Sequence, residues 1–421
     1  MSTGLMHPVP LFLLALFVVL APGSAAAQDE VNDDHRGLVY RMVRISLTPG
    51  LSTNGIDATN YASKYSLNIL AGYNGALERG FELGGLANIN RYYARGVQIA
   101  GLGNYSGEEM QGIQIAGLAN ISRDELQGIQ FSGLGNYASD DIQGIQFTGG
   151  LNWSGGIAQG MQISGLANVA GDDIQGLFAS GIANISGNNM QGITAAGLIN
   201  YAPGNMQGII VSGGITYSDS FQGIAGGSVN IASDFQGIQA GMVNITDYGQ
   251  GIQFGLVNYG RDFEGIPVGL ISYYEEGRSE IDFWTNDTGF SNIGIKLGTD
   301  EIYNMISIGY NPFLENQVWQ LGWSIGRYRA HRTHFVYSDF SYFKINEGGW
   351  TRELNSILKY RLLFGKELGD QLALYGGPTF NMMVTKTENS NRYAWYRLFD
   401  FGARGRDYVF WLGYAVGVDL F

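Results

Sequence analysis

Cysteine is absent from the 421-residue chain. Disulfide bonds, Cys-ligated zinc, a thiol nucleophile and a lipidated N-terminal cysteine are therefore excluded. Proline is scarce, with 8 residues against 64 glycines, a balance that excludes collagen and indicates tight turns and close backbone packing. Positive charge is also in short supply. The net charge of -13 and the pI near 4.7 argue against a nucleic-acid partner, whose phosphates require basic patches.

The N-terminus has the pattern of an export signal. The apolar run "LFLLALFVVLA" (Leu11–Ala21) is too short for a comfortable membrane-spanning helix. Small residues follow, and Ala25-Ala26-Ala27 fits a cleavage site, so residues 1–27 are predicted to be a removed signal peptide. No Lys or Arg precedes the apolar run, which departs from the usual signal and leaves a retained anchor as the alternative.

A repeat dominates the middle of the chain. Thirteen glycines recur at intervals of sixteen residues, shortening to fifteen and then fourteen: Gly80, Gly96, Gly112, Gly128, Gly144, Gly160, Gly176, Gly192, Gly208, Gly223, Gly237, Gly251 and Gly265. Gln precedes ten of these glycines, and an Asn follows most of them eight residues later, or seven in the short units. Such regularity means that each unit is one structural module.

The local pattern within a unit is that of β-strands. Apolar and polar residues alternate in "GIQIAGLANIS", and the stretches between units, such as "SRDE" and "ASDD", are typical of turns. Late units lack one residue at Ala-Gly, a loss that would invert every later side chain of a continuous strand. Each unit is therefore interpreted as two short strands hinged at Ala-Gly.

Two architectures are compatible with such units. In a β-solenoid, each unit is one coil and identical positions stack in parallel. In a meander, each unit is one strand of a very large antiparallel barrel or sheet. The one-unit period favours the solenoid, because a membrane meander alternates direction and should show a two-unit period. Asn and Gln ladders also suit parallel stacking, in which each amide bonds to its copy in the next coil.

From about Ser279 the repeat ends and long aromatic-rich strands begin. In "VWQLGWSIGRY", Trp319, Leu321, Trp323 and Ile325 share one face. About eight such segments predict an antiparallel β-barrel of the membrane type over 279–421, with a soluble β-sandwich as the alternative. "RMVRISLTPG" and "YSLNILAGYNG", before the repeat, are candidates for two further barrel strands. The predicted domains are thus 1–27 (signal peptide), 28–79 (strands leading into or capping the repeats), 80–278 (repeats) and 279–421 (barrel).

The units "GIQIAGLANIS" and "GIQFGLVNYG" resemble the GxQ-x-G-Leu-x-Asn repeats of a bacterial surface-repeat outer-membrane protein family. The flanking stretches "YSLNILAGYNGALERGFELGGLANI" and "GTDEIYNMISIGYNP" are similar to those around the repeats in some members, so the resemblance covers roughly Val43 to Tyr310. It implies a place in the cell envelope and no particular mechanism. The last residue, Phe421, fits the usual end of an outer-membrane barrel, whereas Asp419 departs from that pattern.

No residue set predicts catalysis, and no cofactor is expected. His331 and His334 form H-x-x-H, a spacing that puts them on opposite faces of a strand and argues against a shared metal. Acidic residues recur in the repeat turns and could form a calcium column if coils stack, although solvated turns are the simpler interpretation. These residues are Glu108, Glu109, Asp124, Glu125, Asp140, Asp141, Asp172 and Asp173.

Two classes of function are compatible with the sequence. The first is a non-enzymatic outer-membrane or cell-surface protein with a structural or binding role, whose partners are the lipid bilayer and an unidentified envelope component. The second is an outer-membrane pore or transport protein with the repeats as wall or plug. The unbroken repeat has no long insertion typical of a gate, which favours the first class.

Overall fold

The computed structural model describes residues 37–369, 371–387, 392–394 and 396–421. Within this part of the chain the fold is all-β, and Ala58–Asn60 forms a single 3-10 turn. Among the described residues, no helix is both long and apolar enough to cross a membrane. The predicted signal peptide lies outside the described residues.

The repeat region forms short strands that alternate in length. The first strands of the chain are β1 Val39–Thr48, β2 Leu51–Ser52, β3 Tyr61–Asn68, β4 Ala71–Asn74, β5 Ala76–Gly84, β6 Ala87–Asn90, β7 Ala94–Ala100, β8 Gly103–Ser106, β9 Met110–Ala116, β10 Ala119–Ser122, β11 Leu126–Ser132, β12 Gly135–Ala138 and β13 Ile142–Thr148. The series continues with β14 Leu151–Ser154, β15 Ala158–Ser164, β16 Ala167–Ala170, β17 Ile174–Ser180, β18 Ala183–Ser186, β19 Met190–Ala196, β20 Ile199–Tyr201, β21 Asn205–Ser212, β22 Ile215–Gly226, β23 Val229–Ala240, β24 Val243–Phe254, β25 Val257–Val268 and β26 Ile271–Tyr274.

These strands build a parallel β-solenoid of about thirteen turns, which confirms the preferred architecture and excludes the meander. Long strands stack on long strands, as in β9–β11–β13, and short strands on short strands, as in β10–β12–β14. The register aligns identical repeat positions, so that Asn120 lies beside Asn136 and Gly128 beside Gly144. The chain turns between β11 and β12 at Gly133-Leu134, which is the hinge predicted at Ala-Gly.

The late coils differ from the early ones in two places. In β23 and β24 the short strand runs directly into the next long strand as a single strand of 12 residues. The polar turn has therefore shortened as well as the Ala-Gly corner, whereas the predicted loss was at the corner alone. A parallel coil can absorb both losses because each lies at a bend, where no inward-facing residue changes sides.

The segments before the repeat belong to the solenoid. β1 pairs with β2 and β3, and β3 pairs in parallel with β5. The expectation that these segments add two strands to the barrel is therefore wrong. Their alternating pattern suits either sheet, and only the pairing partner distinguishes the two.

The C-terminal part is a closed antiparallel barrel of eight strands, as far as the described residues show. Its strands are β27 Arg278–Asn286, β28 Ser291–Gly298, β29 Ile302–Asn311, β30 Val318–His331, β31 His334–Glu347, β32 Asn355–Glu367, β33 Leu372–Thr385 and β35 Arg406–Leu420. β35 pairs with β27 and closes the ring, and β34 (Phe399–Ala403) forms a hairpin with β35. This confirms the antiparallel barrel, sets its strand number at eight, and excludes the sandwich.

The two ends of the barrel differ in the length of their connections. Residues 299–301 and 332–333 form short turns at one end, where β32 also ends at Glu367 shortly before β33 begins at Leu372. The connections at the opposite end lengthen along the chain, from 287–290 to 312–317 and 348–354, and the chain between β33 and β35 includes β34. The solenoid joins β27 at Arg278, whose partner is Gly298, so it enters at the short-turn end.

Candidate functional site

A column of buried asparagines runs through the solenoid. Each amide nitrogen donates to the side-chain oxygen of the next coil at 2.8–3.0 Å, through Asn68, Asn88, Asn104, Asn120, Asn136, Asn152, Asn168, Asn184 and Asn200. Thr216 interrupts the column, which resumes from Asn230 to Asn258. The predicted amide ladder is thus present, and its members are 0–1% exposed.

A second buried ladder, of glutamines, has the opposite polarity. Gln114, Gln130 and Gln146 each donate to the glutamine of the preceding coil at 2.6–2.7 Å. In the Asn ladder the donors point towards the C-terminus, and in the Gln ladder they point towards the N-terminus. The Asn ladder therefore presents oxygen at the N-terminal end of the solenoid, and the Gln ladder presents N–H groups there.

An ion pair terminates both ladders at this end. Arg44 donates to Asn68 Oδ1 at 2.9 Å, and Glu82 accepts from Gln98 Nε2 at 2.8 Å. The guanidinium nitrogen of Arg44 lies 3.9 Å from a carboxylate oxygen of Glu82, and both side chains are fully buried. Burial lowers the pKa of Arg44, and the charge of Glu82 opposes that shift. A sequence signal for this pair exists, because Glu82 stands in "GFELGG" where later units have Gln, but it was not among the predicted site residues.

The C-terminal ends of the ladders are also occupied. Asn258 donates to Ser272 Oγ, which accepts a second hydrogen bond from Asn304 of the barrel, each at 3.1 Å. The Gln ladder is interrupted by Phe178, Thr194, Ile210 and Ala225. It resumes as the single pair Gln239 and Gln253, and Tyr274 donates to Gln253 at its end. Burial raises the pKa of Tyr274, which keeps its hydroxyl protonated as a donor. The coil interior is therefore packed with side chains, mostly hydrogen-bonded amides and, in the middle coils, apolar residues such as Phe178 and Ile210. Both side-chain atoms of the Gln162 amide lack a hydrogen-bond partner at the border between the two.

The predicted acidic residues lie in the stacked polar turns, where they make local contacts. Asp141 accepts from the backbone N–H of Ile157 at 2.7 Å. Asp173 binds the backbone and side chain of Asn189, both at 3.0 Å, and Glu109 pairs with Arg95 at 2.6 Å. The described residues contain no group of three or more His, Asp or Glu placed to hold a metal ion.

Of the remaining acidic residues, Asp124, Glu125, Asp140 and Asp172 are exposed at the same side of the solenoid, and Glu108 is half-buried there. A shallow groove of about 210 Å³ passes beside Glu125 and Asp141. The calcium column stays a prediction.

The two histidines do not lie as predicted. His331 ends β30 and His334 begins β31, and they are direct partners across the two-residue turn. The predicted placement on opposite faces requires one continuous strand, whereas the chain reverses between the two histidines. Both are exposed.

The opposite side of the solenoid is apolar. We define the leucine edge as the exposed aliphatic side chains at the Gly-Leu corners, which are Leu70, Leu86, Leu102, Leu134, Leu166, Ile182, Leu198, Met242, Leu256 and Leu270. Their exposure is 38–55%, high for side chains of this size. The backbone N–H of Leu134 donates to the carbonyl of Leu118 at 2.8 Å, so that the corners stack in register. Gly150, Gly214 and Ser228 interrupt the row.

Further apolar side chains flank the leucine edge on both strands. Ile115 and Phe131 lie on the long strands, and Ile185 and Tyr201 on the short ones, each exposed by 36–40%. Charged residues avoid this side altogether. From Gly96 to Ser272, none of the segments that run from a repeat glycine to the Asn position contains an acidic or basic residue. In cross-section each coil therefore has a charge-free apolar half and a polar half.

The last corner of the solenoid packs against the outer wall of the barrel. Asn304 faces outwards because its neighbours Tyr303 and Met305 lie in the barrel interior. Its side chain donates to the carbonyl of Pro267 at 2.6 Å and accepts from the N–H of Gly269 at 3.1 Å. Trp323, also on the outer wall, donates to the carbonyl of Gly269 at 2.7 Å. The leucine edge thus begins on the outer surface of the barrel.

That outer surface is apolar. The outward side chains of β27, β28 and β35 include Phe283, Ile295, Leu412, Tyr414 and Val416, exposed by 42–58%. A shallow groove of about 340 Å³ on this wall is lined largely by aromatic rings, among them Phe340, Tyr342, Phe380 and Phe410.

The barrel interior, in contrast, is charged and filled. Lys296 lies 2.6 Å from Asp419 and 3.2 Å from Asp282. Arg361 pairs with Asp339 at 2.8 Å. These side chains are 0–1% exposed, and aromatic residues pack among them. Asp419, which departs from the usual ending of such barrels, is therefore an interior ion-pair partner.

Comparison of the chain with protein-family models, with curated proteins and with solved structures gives no match.

Proposed function

We propose that the protein is a non-enzymatic outer-membrane protein with a structural or binding role, whose barrel spans the bilayer and whose solenoid carries an extended regular surface. The main support for the proposal is the distribution of apolar and charged side chains in the barrel, which is the reverse of that in a soluble protein. The outward face of the barrel is apolar and its buried interior holds Lys296, Arg361, Asp282, Asp339 and Asp419. A soluble barrel has the reverse arrangement, whereas a barrel in lipid requires an apolar outer belt.

A structural role is favoured over transport by the contents of the barrel. Eight strands enclose an interior just wide enough for side chains. Here ion pairs and aromatic rings occupy that interior, and the solenoid packs against the outside of the wall rather than entering it. We therefore expect no ion conductance from the purified protein in planar bilayers. Steady single-channel currents would favour the alternative, an outer-membrane pore.

The turn lengths support an orientation. Outer-membrane barrels have short periplasmic turns and longer extracellular loops. The solenoid enters at the short-turn end, beside 299–301, so we place the repeats in the periplasm rather than on the cell surface. The polar turns of the coils then face an aqueous compartment between the membranes.

Cell fractionation tests the proposed location in the outer membrane. We expect the protein in the outer-membrane fraction, with a mature N-terminus at Gln28 and a barrel band whose gel mobility changes on heating. Recovery as a soluble periplasmic protein after lysis would overturn the proposal. If the mature protein still carries residues 1–27, only the prediction of a cleaved signal peptide is wrong.

The test of orientation uses single cysteines, since the chain has none. Ser139→Cys lies in a polar turn, and Gly349→Cys lies in the long connection 348–354, where an added Cβ meets no neighbouring atom. A membrane-impermeant maleimide should label position 349 on intact cells and position 139 only after permeabilisation. The reverse result would place the repeats on the cell surface.

A further inference from the structure

We propose that the leucine edge of the solenoid lies in the lipid of the membrane that holds the barrel, so that the solenoid rests lengthwise along the membrane. This inference rests on the proposed function and adds a partner to it, the acyl-chain region of the bilayer. It also assigns a role to the repeated Gly-Leu corner, which the amide ladders leave unexplained.

The leucine edge is continuous with the outer wall of the barrel. Gly269, at the corner of the last coil, accepts a hydrogen bond from Trp323 at 2.7 Å. Trp323 lies opposite Ile306, part of the way along β29 from its start at Ile302. At about 3.3 Å per residue and a tilt of about 40°, the corner meets the wall on the order of 10 Å from the strand end. The edge therefore starts at the border of the apolar belt and not beyond it.

Charged residues are unevenly distributed around the coils of the solenoid. The corner half of twelve successive coils, from Gly96 to Ser272, has no acidic or basic residue. The acidic residues lie in the polar turns, on the opposite side of the coil. A solenoid exposed to water on all sides has no reason to segregate charge in this way, whereas one that rests on a membrane must.

The leucine edge also extends along the full length of the solenoid. Stacked coils advance by about 4.8 Å each, so thirteen coils form a row of roughly 60 Å. Aliphatic side chains 38–55% exposed along most of this row form an elongated apolar surface, of the kind that marks a membrane or protein contact. Outward-facing Phe131 on the long strand and Tyr137 on the short strand extend the apolar surface on either side of the corner.

The experiment compares two cysteines on the same coil. Leu134→Cys lies on the leucine edge and Ser139→Cys in the adjoining polar turn, and both positions are exposed. A third variant, Leu412→Cys, reports on the outer wall of the barrel, where Leu412 is 58% exposed. Each variant of the full chain is labelled with bimane and reconstituted into phosphatidylcholine vesicles. Quenching is measured with lipid brominated on its acyl chains and, separately, with aqueous iodide.

We expect brominated lipid to quench the labels at 134 and 412 strongly, and iodide to quench only the label at 139. Quenching at 412 by lipid but at 134 by iodide would overturn this inference and leave the proposed function intact. A label at 412 that lipid does not quench would overturn both. A second copy of the chain covering the edge would shield position 134 from both quenchers and allow Leu134→Cys to cross-link between copies, which also overturns the inference.

A second coil guards against a local folding defect. Ile182→Cys and Asn188→Cys repeat the comparison on a coil nearer the barrel, and both positions are exposed. The two coils should give the same pattern. If neither edge position is quenched by lipid while both turn positions are reached by iodide, the inference is wrong.

Discussion

At the scale of single residues, the repeat glycine is fixed by backbone conformation and by its neighbour. From Gly96 to Gly265 these glycines have φ between +121° and +150°, a region that other residues rarely adopt. A Cβ added at any of them would lie 1.9–2.2 Å from the carbonyl oxygen of the glycine one coil earlier. Both constraints act at once, so the motif tolerates variation at the residue before the glycine but not at the glycine.

Replacing one repeat glycine should therefore destabilise the solenoid. Gly144→Ala meets a backbone strain of about 1–3 kcal/mol and a Cβ clash at 1.9 Å with the carbonyl of Gly128. The control is Gly135→Ala, because the same position holds Ala119 in the preceding coil. We expect a clearly lower thermal midpoint for Gly144→Ala and an unchanged one for the control. Equal thermal midpoints for the two variants would mean that the coils around Gly144 shift to accommodate the added methyl group.

The buried pair of Arg44 and Glu82 matches the polarity of the two ladders. The cation meets the oxygen end of the Asn ladder, and the carboxylate meets the N–H end of the Gln ladder. Amide chains with aligned dipoles polarise one another, so charges of the matching sign stabilise their ends. The pair also fixes where the stack begins, since a coil placed on the wrong side would bury an unpaired charge.

Removing one charge of this pair should cost more than removing both. Glu82→Gln leaves Arg44 buried without its counterion, and such losses cost about 3–5 kcal/mol. The double variant Arg44→Met with Glu82→Met removes both charges and should recover part of that stability. Urea unfolding of both variants, with Arg44→Met and Glu82→Met singly, completes the cycle. A double variant as unstable as the sum of the single ones would contradict the coupling.

At the scale of the element, most coils contribute one buried Asn to the Asn ladder and one exposed Gln, the residue before the repeat glycine, to an outer row. The buried ladder and this exposed row differ in strength. Asn136 is 1% exposed and makes hydrogen bonds to Asn120, Asn152 and the carbonyl of Phe147, each at 3.0 Å. The exposed ladder is looser, with Gln111 and Gln127 3.4 Å apart. Because water competes for the outer ladder, only the inner one should contribute strongly to stability.

Substitution in the two ladders should separate these contributions. Asn136→Leu leaves the amides of its neighbours partly unpaired, a loss of about 1–3 kcal/mol. Gln127→Leu, on the exposed ladder, should change stability by less than about 0.5 kcal/mol. Thermal unfolding of the two variants provides the comparison. An unaffected midpoint for Asn136→Leu would show that the inner ladder does not stabilise the stack.

Local periodicity was sufficient to predict the coil and the barrel strands, because each depends on residues that repeat within one unit or alternate along one strand. The hinge at Gly133-Leu134 followed from a one-residue loss. What periodicity could not show was which distant strands meet. The pairing of β3 with β5, the pairing of Arg44 with Glu82, and the packing of Gly269 against Trp323 each depend on contacts outside the repeat.

At the scale of the whole molecule, two kinds of cooperativity are joined at Arg278. The barrel is a closed ring in which β35 must meet β27, so the loss of any strand opens it. The solenoid is nearly one-dimensional, and each coil contacts mainly its two neighbours. The number of coils can therefore change while the barrel stays the same, provided that both ends of the stack keep their partners.

Deletion of one whole coil should therefore be tolerated. Removing residues 144–159 joins Gln143 to Gly160, which restores the repeat motif and shortens the stack by about 5 Å. Because all coils of a parallel solenoid run in the same direction, the first barrel strand still begins on the same side of the membrane. The variant should therefore keep the heat-modifiable gel band of the barrel and near-normal stability. The control removes only residues 144–151, which joins Gln143 to Asn152 and places a short strand where a long one belongs. We expect that half-coil variant to be degraded, since its later coils lose their inward-facing residues. Failure of the whole-coil deletion alongside the half-coil one would mean that the coils are not interchangeable and that the length of the solenoid is itself fixed.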